Sequence, residues 1–361
     1  MRTVSRHIAA LFGRNLMVIL LVLVGLYGLI EFIERVDDFI EFDAAPDHYL
    51  RYPLYKLPLM LEQALPMGVL LATFATVGQL SRTSQITALR SCGVGLWQST
   101  RVMFLIGGLL CMMTFAGNAW LVPWSARQSY YILATEIKGD NRMIQHAENL
   151  YFRDGQRIVS VAESFPERGE LRGLTLLEFD PAFRLIRRVE ADSARHLDGG
   201  RWQLHEATVR IFDPATQQIS SYTRQRELSA DTGRPPEEMT EIWYKPEEMT
   251  FTELLRLDSR LHQSGQNSIR YQAEWQQRLA RSATPLLMVL LGIPFALHRG
   301  RKASLALGIA VSLATFLVYF ALQAIGMAFG TAGLLPIPLA AWAANLLLLL
   351  VGAWLFLTLD S

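Results

Sequence analysis

Residues 202–212 read Trp202-Gln203-Leu204-His205-Glu206-Ala207-Thr208-Val209-Arg210-Ile211-Phe212. Within the pairs Trp202/Leu204 and Val209/Ile211 the apolar residues recur at period two, with Gln203, His205 and Arg210 on the opposite face, the alternation of a half-buried β-strand. The stretch sits inside a polar block, from about Ala126 to about Gln277, where turn pairs such as Asp154-Gly155 and Gly199-Gly200 recur. The flanks differ, with Leu20-Leu21-Val22-Leu23-Val24 on one side and five consecutive leucines, Leu346 to Leu350, on the other. A water-borne β module is therefore expected between two membrane-embedded halves.

The composition agrees. A hydrophobic fraction of 51% and a mean hydropathy of +0.21 exceed those of an ordinary soluble chain. The formal net charge of +1 conceals a sorting of basic and acidic residues by membrane side. Cys92 and Cys111 fall in a loop and inside a span, so no disulfide between them is expected.

Arg2, Arg6 and Arg14 precede an apolar run too long for a signal-peptide core and lacking a small-residue cleavage site, which predicts a retained signal-anchor helix over about Ile8–Ile33. Its exit carries Glu31, Glu34, Asp37, Asp38, Glu41, Asp43 and Asp47, with Arg35 the one cation before Arg51. The positive-inside rule puts the start in the cytoplasm and this exit beyond the membrane. Tyr49, Tyr52 and Tyr55, three apart, suit an interfacial segment over 46–56.

A second span, Leu57–Leu80 with Pro58 and Pro66, returns to a loop, 81–101, that holds Arg82, Arg90 and Arg101 and no acid. There Ile86 and Leu89 share a helical face and Gly93 is placed for a left-handed cap. Such a loop suits either a connector held by anionic headgroups or a partner-docking helix. A third span, Val102–Val122, ends at the aromatic anchor Pro123-Trp124 and leaves the polar block outside the cytoplasm.

In the block, strands are expected over Asn149–Arg153, Arg157–Ala162, Leu174–Phe179, Leu185–Ala191, Trp202–Phe212 and Gln218–Gln225, giving a sandwich or jelly roll. Arg234-Pro235-Pro236 reads as a linker. Thr250–Gly265 reads as a helix opened by a Thr250-x-x-Glu253 capping box, and the amphipathic stretch Ile269–Arg281 leads into a fourth span, Ser282–Leu297. The cluster His298-Arg299-Gly300-Arg301-Lys302 marks a cytoplasmic loop. Spans over Leu305–Phe329 and Ala341–Leu359 complete six, with both termini inside.

The chemistry is bounded by what is missing. No Gly-Lys pair exists for a P-loop, and His205-Glu206 lacks the second histidine of a zinc-protease helix. The span interiors are expected to hold Gln323, Asn118 and Asn345 as helix-to-helix hydrogen bonders and no acid, lysine or arginine, which leaves no proton relay. Gly107, Gly108, Gly117, Gly308 and Gly326 are expected to permit close helix packing. No catalytic residue and no metal ligand is expected, and a transporter built this way must borrow its energy.

The stretch Ser84-Gln85-Ile86-Thr87-Ala88-Leu89-Arg90-Ser91-Cys92-Gly93, the arrangement of three spans on each side of a β module, and Glu274-Trp275 followed by Pro285-Leu286-Leu287-Met288-Val289-Leu290-Leu291-Gly292-Ile293-Pro294-Phe295-Ala296 together resemble the YjgP/YjgQ permeases, the LptF/LptG subunits of the lipopolysaccharide exporter. The resemblance implies an inner-membrane six-helix 3+3 bundle with an inserted periplasmic all-β jelly roll. It divides the chain into 1–125, a β domain over 126–250, and 251–361. It also implies a paralogous permease subunit, a cytoplasmic ATPase dimer that binds the ATP, a periplasmic jelly-roll bridge protein, lipopolysaccharide and membrane lipids as partners, with no nucleic acid and no cofactor of its own. Ser84, Gln85, Ile86, Leu89, Arg90 and Gly93 would form the ATPase-coupling helix, with Gln85 where the family commonly has a glutamate. Arg35 would be the local phosphate candidate, since acids stand where some members place lysines, and Trp202, Leu204, Val209 and Ile211 would line an acyl-chain path. The Glu34-Arg35-Val36-Asp37-Asp38 run looks more like the G-type paralogue. The competing expectation is a membrane-anchored scaffold whose β module binds another protein and transports nothing.

Overall fold

The computed structural model describes residues 2–137, 147–154, 156–165, 169–198, 201–214, 216, 218–231, 245–263, 267–298 and 305–360. Among them are α1 (Arg2–Glu41), α2 (His48–Arg82), α3 (Gln85–Ser91), α4 (Leu96–Ala116) and α5 (Val122–Tyr131). Beyond the β unit come α6 (Phe251–Gln263), α7 (Ile269–His298), α8 (Leu305–Thr331) and α9 (Ile337–Asp360). Six helical stretches are long and apolar enough to cross a membrane: α1, α2, the run Leu96–Ile137, α7, α8 and α9. The Gly199-Gly200 turn, the Arg234-Pro235-Pro236 linker and residues 299–302 of the basic cluster lie outside the described residues.

The helices are longer and less interrupted than the sequence suggests. α1 continues through the acidic exit to Glu41, and α2 starts at His48, so the tyrosine segment is its first turns and not a separate piece. Apolar composition locates the hydrocarbon part of a helix but says nothing about where hydrogen bonding stops. α2 carries Pro53, Pro58 and Pro66, and near Pro58 the Tyr55 carbonyl accepts a hydrogen bond from Ser125 Oγ, the sort of neighbouring donor a proline-bearing membrane helix needs. The third span runs to Ile137 through two π-helical segments, Gly117–Leu121 and Ile132–Ile137.

α2 and α7 form the centre of the bundle, with half and two thirds of their most apolar stretches buried, against 11% for α1. Their core joins Phe12, Val69, Leu70, Phe74, Met103, Met288, Val289, Ile293 and Tyr319. Small residues set the helix spacing: a Cβ on Gly308 would fall 2.0 Å from Phe74 Cε1, and one on Gly326 would fall 2.7 Å from the Ala340 carbonyl oxygen. Gly107 is less tight, with Val289 Cγ2 at 3.2 Å, and Gly108 and Gly117 have open space.

The polar block folds as β1 (Ala147–Asp154), β2 (Arg157–Phe165), β3 (Glu170–Phe179), β4 (Leu185–Asp198), β5 (Arg201–Phe212) and β6 (Ile219–Asp231). All six belong to one antiparallel sheet in sequential order, with the β1–β2 pairing reaching Asp154 opposite Arg157. The strand pairings all skip the row of Asn149, Ala162, Gly173, Asp192, Glu206 and Arg226, and β4 with β5 also skips Ala191 and Ala207. Across that row the buried positions change parity, from Leu171 to Leu174 in β3, from Ala191 to Ala194 in β4 and from Leu204 to Ala207 in β5. One extra residue per strand at the same level keeps the register but rotates each strand, so the sheet bends there and both leaves bury one shared core. Two meandering leaves of a single folded sheet thus stand where two separate sheets were expected. The crease row explains this, because every strand crosses from one leaf to the other.

Gly173 lies on the crease with φ +62°, and a Cβ there would meet Ala162 Cβ at 2.6 Å. Gly173→Ala is expected to destabilise the β unit by more than the roughly 1–2 kcal/mol of left-handed strain alone, seen as faster hydrogen exchange in β2 to β4. Adding Ala162→Gly should recover the steric part. Unchanged exchange in the single variant would contradict the crease as a constraint.

Candidate functional site

Two constellations stand out, at opposite ends of α2. Its 35 residues span about 50 Å at 1.5 Å per residue. At the far end α3 is bracketed by Ser84 (φ +60°) and Gly93 (φ +77°). The Val94 N–H donates to the Leu89 carbonyl at 3.0 Å and the Gly93 N–H to the Arg90 carbonyl at 2.9 Å, the pair of bonds of a Schellman cap. Gly93 therefore ends the helix as its sequence position suggests. Ile86 packs against the bundle core, Leu89 is half-buried, and Gln85, Arg90 and Gly93 are exposed. One face thus holds the short helix to the bundle and the other is open.

At the near end charges cluster, one of them inside a span expected to hold no acid. Glu62 lies inside the second span, within the predicted Leu57–Leu80, and overturns the expectation of acid-free interiors. Its side chain, 7% exposed, accepts a hydrogen bond from Asn118 Nδ2 at 3.2 Å and pairs with Arg281 at 3.5 Å. A single acid among apolar residues is easily passed over, because its partners are 56 and 219 positions away along the chain. Glu31 is likewise buried, held by Tyr52 Oη at 2.8 Å, by Lys56, and by Arg35 at 3.5 Å. Arg35 also reaches Asp38 at 3.3 Å, so this phosphate candidate is already engaged by two acids of its own helix.

Arg278 is the hub. Its side chain is 5% exposed and its Nε donates to Glu274 at 2.8 Å. Its two terminal nitrogens donate to four backbone carbonyls: Met249 at 2.6 Å, Pro246 at 2.9 Å, Glu247 at 3.0 Å and Asn118 at 3.3 Å. The first three belong to the return segment from the β unit, and Asn118 belongs to the π-helical bulge of the third span. Arg127 of α5 adds a second fastening, from Nε to the Glu248 carbonyl at 2.6 Å and from Nη2 to Glu253. Glu253 closes the capping box, accepting from the Thr250 N–H at 2.7 Å. These groups border a cavity of about 420 Å³ lined by Arg35, Lys56, Glu62, Glu248, Glu274 and Arg281 among others.

The β positions behave unequally. Trp202 and Leu204 are fully buried and Val209 nearly so, with Trp202 packed edge-on to His196 at 5.2 Å. Ile211 is a correction: it is 44% exposed, because its cross-strand partners Arg187 and Ser221 offer no apolar cover. Gln323 and Asn345 do bond between helices, to the carbonyls of Ala341 and Ala280. Cys92 and Cys111 are free.

Two outcomes are expected. Arg278→Ala removes the donor from four carbonyls and leaves Glu274 with Arg281 alone, at 3.4 Å, and losing one partner of a buried pair costs about 3–5 kcal/mol. Hydrogen exchange over 245–249 should accelerate sharply, with Arg278→Lys only partly restoring protection because an ammonium lacks the planar fork. Burial works against the Glu253 carboxylate, but the Thr250 N–H and Arg127 outweigh it and hold its pKa below the ordinary value. A depressed folded-state pKa gives stability that is present above the unfolded value and lost as pH falls through the folded one. The α6 junction should therefore loosen on acidification below the ordinary carboxylate range, and Glu253→Gln should flatten that dependence.

The sequence model described as "Lipopolysaccharide export system permease LptF/LptG" matches residues 6–358. Similar relatives include "Lipopolysaccharide export system permease protein LptG" of Escherichia coli K12, 21% identical over 89% of this chain and 88% of that protein. The protein of the same name from Haemophilus influenzae is 20% identical over 98% of each chain. The six apolar helical stretches, the β unit inserted between them and a family match over nearly the whole length converge, and the chain belongs to the LptF/LptG family of lipopolysaccharide export system permeases, multi-pass proteins of the inner membrane.

Proposed function

We propose that this chain is a G-type permease subunit of an ABC transporter that extracts lipopolysaccharide from the inner membrane and passes it to a periplasmic jelly-roll bridge. It has no catalytic residue of its own and pairs with a paralogous permease subunit over a cytoplasmic ATPase dimer that binds the ATP. Both termini are cytoplasmic and the creased β sheet is the periplasmic module, its two leaves forming the jelly-roll unit between three spans on each side. The observation that carries the reading is α3: a capped helix pinned to the core through Ile86 with Gln85 and Arg90 on its open face, suited to seating in a groove of the ATPase. Family membership and the G name of the reported relatives support it.

On the substrate side, Arg35 faces the cavity at the outer end of α1 and is the local contact for lipid phosphates once Glu31 and Asp38 release it. Trp202, Leu204 and Val209 would meet acyl chains only if the leaves of the sheet part along the crease, whereas Ile211 is accessible without that motion.

Replacing Leu89 and Arg90 together by alanine is expected to abolish co-purification of the ATPase and ATP-dependent lipopolysaccharide release, with the bundle intact by thermal unfolding. Wild-type assembly and release in that variant would remove α3 as the coupling element.

A further inference from the structure

The seam between α7, α8 and α9 holds a ring of polar groups deep in the bundle. Gln323 of α8 donates from Nε2 to the Ala341 carbonyl at 3.2 Å, and that carbonyl points along α9 toward Asn345, one turn on. Asn345 Nδ2 donates to the Ala280 carbonyl of α7 at 2.6 Å. Thr284, one turn further along α7, donates from Oγ1 to the same carbonyl at 3.3 Å and meets Tyr319 Oη at 3.0 Å. Tyr319 lies one turn before Gln323 on α8, which closes the ring. Ala280, Thr284 and Ala341 are fully buried, and Tyr319, Gln323 and Asn345 are no more than 5% exposed.

The ring is short of donors. Thr284 Oγ1 gives its proton to the Ala280 carbonyl, so the Tyr319 hydroxyl donates to Thr284. Gln323 Oε1 and Asn345 Oδ1 are both buried and accept no hydrogen bond from the protein. Turning either amide over would set its oxygen against a carbonyl oxygen, so the shortage does not depend on amide orientation. One turn back along α7 the same seam does supply a donor, where Gln276 Oε1 accepts from Trp342 Nε1 at 3.2 Å. Three residues on from Gln323 the helices approach so closely that a Cβ on Gly326 would fall 2.7 Å from the Ala340 carbonyl oxygen. The missing donor must therefore be small.

From this arrangement we infer that the ring binds one ordered water molecule, which donates one hydrogen bond to Gln323 Oε1 and the other to Asn345 Oδ1 and so joins α8 to α9 within the span. Water brings two donors for two acceptors and carries no charge into the bundle. A monovalent cation is the poorer match, because two amide oxygens replace little of the hydration it would lose. The inference stands on the helix bundle alone and is independent of which lipid the chain moves.

The test is X-ray radiolysis of the full chain in lipid nanodiscs, because ionising a bound water releases a hydroxyl radical beside it and mass spectrometry locates the added oxygen. Tyr319, 5% exposed, is expected to be oxidised together with Tyr222, which at 60% exposed reports bulk water. Met103, fully buried in the same bundle, should stay unmodified although methionine is the more readily oxidised side chain. Replacing Gln323 and Asn345 together by leucine should abolish the Tyr319 signal and leave that of Tyr222 unchanged. Because that variant could fail to fold, the wild-type pattern decides on its own. Absence of Tyr319 oxidation in the wild type, oxidation of Met103 to the same extent, or a Tyr319 signal that persists in the folded double variant would overturn the bound water. A wild-type thermal unfolding midpoint that moves when sodium is exchanged for potassium or choline would overturn it too, by assigning the site to a cation.

Discussion

A guanidinium surrounded by backbone carbonyls fastens the segment that follows the β unit to the membrane helices. Arg278 enters the bundle on α7, where a free cation would be costly, and four carbonyls and Glu274 replace the water it loses. The carbonyls are available for structural reasons. The return segment 245–249 makes only a single 3-10 turn, and the third span bulges into a π-helix at Asn118, a departure from regular helix that recurs at functional sites. Only arginine, with five donors in a planar fork, can satisfy so many acceptors from one side chain. The same arrangement makes the β unit's return path rigid with respect to the third and fourth spans.

The creased sheet applies a comparable local exception to a different end. Regular strands alternate with period two, and an uninterrupted alternation across six strands would leave one face of a single sheet with nothing to cover it. Skipping one row lets the sheet cover itself, so Trp202 and Leu204 from one leaf share a core with Ala207 and Val209 from the other. The cost is concentrated in a few residues, with Gly173 and Glu206 both taking positive φ.

Much of this was legible in the sequence. Long apolar stretches, the six strands, the Thr250/Glu253 box and the Gly93 cap rest on short-range patterns, and each is where local chemistry puts it. The phase change between Trp202/Leu204 and Val209/Ile211 was also visible, although reading it as a crease needs neighbouring strands that shift at the same level. What escaped depends on distant pairing. Glu62 was passed over when the spans were read as free of acid, and its role shows only with Asn118 and Arg281 of other helices beside it. Glu274, Arg278 and Arg281 share a face at i, i+4 and i+7, which marks an amphipathic helix equally well. Helix ends were misjudged because hydropathy reports lipid contact and α1 and α2 extend well past it.

The two constellations are joined by α2, which packs against α1 and α7 and reaches from the charged chamber to α3. Its interior is tightly fitted: a Cβ on Gly292 of α7 would fall 2.6 Å from Thr73 Cγ2 of α2, so the two helices cannot slide past one another without losing that fit. Toward the other end of α2 stands Glu62, the one acid of that helix, bonded to both the π-bulge and α7. The charges at that end act as a joint because they are paired across elements: Glu31 on α1 with Lys56 on α2, Glu62 on α2 with Arg281 on α7, Arg278 on α7 with the return segment. Each pair ties one element to the next, so the packing of α1, α2, α7 and the return segment is set by one chain of buried charges.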